Sequence, residues 1–184
     1  SFAIFALVFT LICSNFTVFA TDFNSTVTPD SKNVYMVYMG ENGDIPVVNI
    51  NSEQKNYPAS LTKIMTAIVL LEKYNFSELE NIKVTVPLKA FDDFYVDGVY
   101  QNPSTAGFLN GEVVDLRDLL YGMMLQSACE AANVIAYHVG GDNISNFVDM
   151  MNKKVKELGL KNTQFKNCTG LDEDGHYSSA YDMA

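Results

Sequence analysis

Hydrophobic residues crowd the start of the chain without a charge among them. From Phe2 to Ala20 there is no Asp, Glu, Lys or Arg, and Phe2 to Ile12 is almost wholly apolar. Val18-Phe19-Ala20 then sets small or β-branched residues one and three positions ahead of Thr21, the pattern of a secretory cleavage site. Residues 1–20 are thus expected to be a signal peptide. An uncleaved membrane anchor is the rival, since the run is about long enough to span a bilayer; Ser14, Asn15 and Thr17 near its end favour cleavage. Lipid attachment at Cys13 is disfavoured by the bulky Ile12 before it. No basic residue precedes the run and the chain begins with Ser1, so the signal is expected to be truncated at its start. Residues 21–32, rich in Ser, Thr, Asn and Asp, predict a flexible leader.

Beyond Asn33 the pattern alternates between strand and helix signals. Val34–Met39 and Ile45–Ile50 are β-prone runs separated by Gly40-Glu41-Asn42-Gly43-Asp44, which predicts an antiparallel hairpin. The segment from Ala59 to about Tyr74 is apolar around nearly the whole helical circumference and predicts a buried helix. A strand is expected over Ile82–Val86, followed by a stretch with Gly98, Pro103, Gly107 and Gly111 that reads mainly as loop. Leu116–Leu125 predicts a helix capped by Asp115, with Ser127 at its exit. Ala131–Val139 predicts a second, ending at Gly140-Gly141. Asn143–Leu158 predicts a third, with Phe147, Met150, Met151, Val155 and Leu158 on one face and Gly159 as the stop. Ser178–Ala184 reads as a helix just begun, so the end is also expected to be truncated. Strands followed by clustered helices indicate an α/β fold of the α+β kind, a sheet flanked by a helical cluster, with the closing strands outside this sequence. Residues 33–184 are expected to be the N-terminal part of one catalytic domain.

Composition narrows the function. The 184 residues are 48% hydrophobic, enough for one core, and 22 acidic against 12 basic residues give a formal charge of −10. Nucleic acid is disfavoured as a partner, because phosphate neutralisation needs clustered Lys and Arg. Cys13, Cys129 and Cys168 are the three cysteines, too few for a disulfide framework. Spacing leaves a bridge between Cys129 and Cys168 undecided. Two histidines without ligand spacing argue against zinc. His176 reads as a loop residue and Asp92-Asp93 as a solvated face.

The candidate chemistry lies in Ser60-Leu61-Thr62-Lys63, where a hydroxyl and an amine sit one helical turn apart on the same face. Lys63 is the only charge between Ala59 and Leu71. Desolvation there favours the neutral amine, which can take the proton of Ser60. The helix N-terminus would help hold the negative charge that develops. A snorkelling Lys beside a capping Ser is the bland alternative. Ser-x-x-Lys is a short pattern expected about once by chance, and Ser52-Glu53-Gln54-Lys55 also fits it, in a polar segment that gives no reason to desolvate Lys55. Cys129 with His138 or His176 would be a thiol alternative.

Tyr57-Pro58-Ala59-Ser60-Leu61-Thr62-Lys63-Ile64-Met65-Thr66-Ala67 resembles the nucleophile segment of the low-molecular-mass penicillin-binding proteins, the D-alanyl-D-alanine carboxypeptidases of the β-lactamase/DD-peptidase superfamily. Leu120 to Asn133 and Thr169 to Ala184 fit the same family in order. The resemblance implies a β-lactamase/DD-peptidase-like fold and an acyl-enzyme hydrolase without a cofactor. Its partners would be peptidoglycan stem peptides ending in D-Ala-D-Ala, β-lactam antibiotics and, for the full-length protein, a membrane outside the cytoplasm. It makes Ser60 the nucleophile, Lys63 its general base and Ser127 the serine of the second motif, which passes a proton to the departing D-alanine. Cys129 stands at the substrate-binding position where the family usually has Asn, and a thiol is a weak hydrogen-bonding group. Glu130 and Asn133 are the residues nearby that could substitute, against an ordinary structural role for both. The third family motif, Lys-Thr-Gly, does not occur in residues 1–184, so carboxylate recognition is expected to lie outside them and this portion alone to be inactive. A β-lactamase would carry Ser-Asp-Asn in place of Ser127-Ala128-Cys129. A catalytically silent cell-wall-binding or sensor protein is the rival from another class, kept open by Cys129.

Overall fold

The structure, a computed structural model, describes residues 32–40 and 43–184. The expected signal peptide, and the leader up to residue 31, lie outside the described residues. The described residues divide into two compact units, residues 32–54 with 180–184 and residues 55–179.

The first unit is the expected hairpin with a short helix on it. Strands β1 (Val34–Gly40) and β2 (Gly43–Ile50) pair antiparallel, Val34 opposite Ile50 and Gly40 opposite Gly43. The register shifts between Met36 and Val37, and Val37 then faces Pro46. Proline offers no N–H to the ladder, and a bulge absorbs that interruption. Tyr181, in the C-terminal helical turn Ala180–Met183, brings its ring to 4.9 Å from that of Tyr35 and donates its N–H to the Ser52 carbonyl.

The second unit is built around one central helix. Its helices are α1 (Thr62–Lys73), preceded by a 3-10 turn at Ala59–Leu61, α2 (Leu116–Gln126), α3 (Cys129–Val139) and α4 (Ile144–Glu157). Every residue of α3 except Tyr137 and His138 is buried. Its Ala131, Ala132 and Ala136 are small enough to let α1, α2, α4 and the 3-10 segment Leu88–Phe94 pack round it. Leu119, Met123, Ile135, Phe147, Met151 and Phe165 fill the core. The expected Asp115 cap is in place, Asp115 Oδ1 accepting the Asp118 N–H at 2.8 Å; Asn143, read as the first residue of a helix, is the cap of α4 and its side chain accepts the N–H of Ser145. Asp115 also holds Lys83 at 3.2 Å. That ion pair joins the ends of β3 (Lys83–Thr85) and β6 (Val113–Asp115), antiparallel partners in which Lys83 faces Asp115.

Two readings of the pattern are corrected. The segment from Ala59 is not buried on all sides, because Leu61, Ile64 and Leu71 are exposed while Thr62, Lys63 and Thr66 are buried. Hydrogen bonding outranks hydrophobicity in choosing its inner face, since each of those three polar side chains finds a partner there. The stretch read as loop contains the 3-10 segment that buries Ala90 and Phe94. It also holds a two-residue-per-strand hairpin, β4 (Tyr95–Val96) with β5 (Val99–Tyr100). Asp97 (φ 50°) and Gly98 (φ 78°) turn it, the conformation an Asp-Gly hairpin turn requires.

Ile135 is fully buried in this core, so Ile135→Ala leaves a void there. The expected loss is about 2–5 kcal/mol of unfolding free energy, read as a fall in the urea midpoint.

Candidate active site

The residues singled out from the sequence meet at one end of α1 and α3. Ser60 lies in the 3-10 turn that opens into α1, after Ala59 in the left-handed region (φ 47°). Lys63 follows one turn later with 3% of its surface exposed. Ser127 is the only residue between α2 and the Ala128 cap of α3, and its own φ of 56° and ψ of 31° end α2 there. That left-handed residue turns the chain, bringing Ser127 Oγ to donate to Ser60 Oγ at 2.7 Å and setting Cys129 as the first residue of α3.

The Lys63 amine has three neighbours: the Thr169 carbonyl oxygen at 2.6 Å, Ser60 Oγ at 3.5 Å and Cys129 Sγ at 3.6 Å. All three accept from or lie within reach of the amine's N–H groups, so Lys63 Nζ is tethered to the Thr169 carbonyl and the Cys129 sulfur while it faces Ser60 Oγ. Ser60 Oγ can meanwhile accept from Ser127, so a proton has a continuous path from Ser60 to Lys63 and, through Ser127, outward. The arrangement can activate a serine nucleophile and return a proton to a leaving group.

Sequence reasoning missed the part played by residues 165–178. Thr66 donates to the Cys168 carbonyl at 2.8 Å, and His176 Nε2 lies 2.9 Å from Thr62 Oγ1. His176 Nδ1 accepts the Lys166 N–H at 3.0 Å, which places the ring proton on Nε2, facing Thr62. This loop residue is therefore a buried lock on α1. Gly170 packs so closely that an added Cβ would stand 1.9 Å from the Ala59 oxygen and 3.1 Å from the Ser60 nitrogen. The cue was present only as the order Thr169-Gly170; nothing in its pattern said which helix it would meet.

Glu130 and Asn133 do not stand in for an amide beside Lys63. Glu130 Oε1 accepts the N–H groups of Ala106 and Gly107 at 2.7 and 3.0 Å, while the Cys129 N–H reaches the Ser104 carbonyl. These bonds pin the segment Ser104–Gly107 to the start of α3. Asn133 donates to Ala90 O and to Asp93 Oδ1. Asp93, read as solvated, is instead half-buried; burial raises its carboxyl above the ordinary range, against the hydrogen bond from Asn133. Cys129 and Cys168 are both free thiols. Burial pushes both upward, at Cys129 against the attraction of Lys63, so each stays protonated at neutral pH. Lys55 of the second Ser-x-x-Lys match is exposed, its ammonium over the Tyr177 ring.

Two measurements check this geometry. Gly159 and Gly170 both have positive φ, but only Gly170 has a neighbour where a Cβ would stand. Gly159→Ala is expected to lose about 1–3 kcal/mol from backbone conformation alone, and Gly170→Ala distinctly more in the same urea titration. Burial also holds the His176 imidazole below its ordinary value, offset in part by Glu173 and Asp172. The unfolded chain binds that proton near pH 6.5, so the stability linked to neutral His176 is full above that pH and is lost as pH falls below it. Between pH 7 and 5 the wild-type urea midpoint should therefore fall more steeply than that of His176→Gln.

Comparison with known proteins agrees along the chain. The sequence profile of D-alanyl-D-alanine carboxypeptidases matches residues 24–184. The D-alanyl-D-alanine carboxypeptidase DacF of Bacillus subtilis is 40% identical over 139 residues, covering 74% of this chain and 33% of its own. DacA of Haemophilus influenzae is 37% identical over 174 residues, covering 93% and 42%. Among solved structures, penicillin-binding protein 5 of H. influenzae superposes with a TM-score of 0.71 at 35% identity, over 86% of this chain and 45% of that one. The Streptomyces K15 DD-transpeptidase gives 0.72 at 32%, over 86% and 60%. Variants of that transpeptidase have been solved with a serine and with a cysteine replaced, two positions apart, the spacing of Ser127 and Cys129. The chain thus spans about a third to two fifths of the length of these curated relatives, has the DD-peptidase fold, and belongs to the D-alanyl-D-alanine carboxypeptidase family.

Proposed function

We propose that the full-length protein is a serine D-Ala-D-Ala carboxypeptidase that removes the terminal D-alanine from peptidoglycan stem peptides. The observation that carries this reading is the buried Lys63 amine within reach of Ser60 Oγ, with Ser127 on the other side of the same oxygen. Ser60 Oγ attacks the carbonyl carbon of the penultimate D-alanine as Lys63 Nζ takes its proton. The C–N bond then breaks, the nitrogen leaves as the amine of free D-alanine with a proton delivered through Ser127, and an ester remains on Ser60. Water attacks that ester, freeing the shortened peptide and restoring the Ser60 hydroxyl. A β-lactam enters by the same first step: its ring C–N bond opens, but the nitrogen stays tethered to the acyl group. Substrate and antibiotic place this protein outside the cytoplasm, exported by the N-terminal segment and working at the cell wall and membrane surface, with an effect on wall organisation and cell shape.

Cys129 favours a second reading of the final step, because its spacing from Ser127 is that of the serine and cysteine replaced in the DD-transpeptidase structures. A thiol beside Lys63 offers an incoming nucleophile a weaker hydrogen-bonding partner than an amide would. The acyl group would then pass to an amine of a second stem peptide.

Fluorescent penicillin labelling of the full-length protein tests the first step. Label is expected on the wild type and on Ser52→Ala, and is expected to fall by at least a hundredfold in rate in Ser60→Ala and Lys63→Ala. An unlabelled wild type would overturn the acyl-enzyme reading in favour of a silent binding protein. Incubation with a D-Ala-D-Ala peptide and a free amine donor separates the two last steps: shortened peptide marks a carboxypeptidase, amide product a transpeptidase.

A further inference from the structure

Resting on the acyl-enzyme reading, we propose that Asn167 is a positioning residue for the catalytic amine: it fixes the peptide group that holds Lys63. The shortest contact of Lys63 Nζ is the Thr169 carbonyl oxygen, at 2.6 Å. That carbonyl belongs to the same planar unit as the Gly170 N–H. In a trans peptide the two groups point in opposite directions from one rigid plane, so holding the N–H sets the direction of the carbonyl.

Asn167 Oδ1 accepts the Gly170 N–H at 2.8 Å and lies 3.3 Å from the Thr169 hydroxyl. Its Nδ2 donates to the Leu171 carbonyl at 2.9 Å and reaches Glu173 Oε2 at 3.2 Å. One side-chain amide therefore brackets residues 169–171 from behind while Lys63 engages them from in front. The amide oxygen, the Gly170 N–H, the Thr169 carbonyl and the lysine amine form a hydrogen-bonded chain through one peptide, in which each bond polarises the next.

The other hydrogen bonds here, Thr66 to the Cys168 carbonyl and the Thr169 hydroxyl to Asp93, do not grip the Thr169–Gly170 peptide itself. The Gly170 φ of 87° is open to glycine and strained for other residues, and the peptide passes against the Ala59 oxygen and the Ser60 nitrogen. With the Asn167 bonds removed, the Thr169–Gly170 plane can rotate about the flanking Cα bonds. The carbonyl then swings away from Nζ, and the amine loses the partner that holds it 3.5 Å from Ser60 Oγ. Positioning errors of about an ångström cost on the order of a hundredfold in rate.

The test is stopped-flow acylation of the full-length protein by a fluorescent penicillin, resolving the non-covalent dissociation constant from the acylation rate constant. Asn167→Ala should lower the rate constant at least tenfold with the dissociation constant unchanged. Asn167→Ser, whose hydroxyl can still accept the Gly170 N–H as helix-capping serines do, should recover most of the rate and serves if the alanine variant does not fold. Asn152→Ala is the control for general loosening, since Asn152 clamps the N–H and carbonyl of Phe165 at 2.9 and 2.8 Å, upstream in the same segment; it should lower the melting temperature but leave the rate constant within about twofold. In a Lys63→Ala background, the Asn167→Ala change should have no further effect on the slow residual acylation. An Asn167→Ala protein that acylates at the wild-type rate would overturn the inference, as would one slowed by the same factor with or without Lys63. Either result leaves the acyl-enzyme reading intact, whereas a wild type that never acylates removes both.

Discussion

The unit that carries the candidate site depends on one requirement: an amine withdrawn from water must be met by hydrogen-bond acceptors inside the protein. Burying an unpaired ammonium or amine costs several kcal/mol, and Lys63 has only 3% of its surface exposed. The Thr169 carbonyl meets that requirement at 2.6 Å. To bring it there, an irregular segment must lie along α1, and two further polar residues of the same helix hold it down. Thr66 takes the Cys168 carbonyl and Thr62 meets His176. The inner face of α1 is polar at its first turn for this reason, while Ile64 and, just ahead of the helix, Leu61 turn outward.

The opposite wall comes from a break in the helical cluster. Between α2 and α3 stand only Ser127 and Ala128, and the left-handed conformation of Ser127 reverses the chain. The same turn puts the Ser127 hydroxyl on Ser60 and starts α3 with Cys129 and Glu130. Cys129 faces Lys63, whereas Glu130 faces the other way and anchors Ser104–Gly107. Two adjacent residues thus serve the two sides of the site, one through its sulfur and one through a carboxylate that holds backbone.

What the sequence disclosed follows from how local each signal is. The hairpin, α2 with its Asp115 cap, α4 with its Gly159 stop and the stop at Gly140 are written within a few residues of where they act. The Ser60, Lys63 and Ser127 constellation was legible because it combines one helical spacing with ordered motifs. Harder to see was anything decided by a distant partner. The pairing of β3 with β6 joins residues more than twenty-five positions apart. Asp93 looked like half of a solvated acidic pair until Asn133 and Thr169 closed on it. His176 looked like a loop residue because the hydroxyl it meets lies 114 positions earlier. The circumference of α1 misled for a related reason: apolar residues all round left the choice of buried face to hydrogen bonds that no window of sequence contains.

The bond between Lys63 and Thr169 spans 106 positions of chain, and this has a bearing on synthesis. At the rate at which ribosomes extend a chain, on the order of 5–20 residues per second, roughly 5–20 s separate the making of the amine from the making of its carbonyl partner. Contacts of such high sequence separation also form slowly, because the loop they close must first lose its freedom. Throughout that interval Lys63 is an ordinary hydrated lysine next to an ordinary serine. The tethered, buried state of the Lys63 amine is therefore a late-arriving property, conferred only when the far end of the helical unit has been made and has docked.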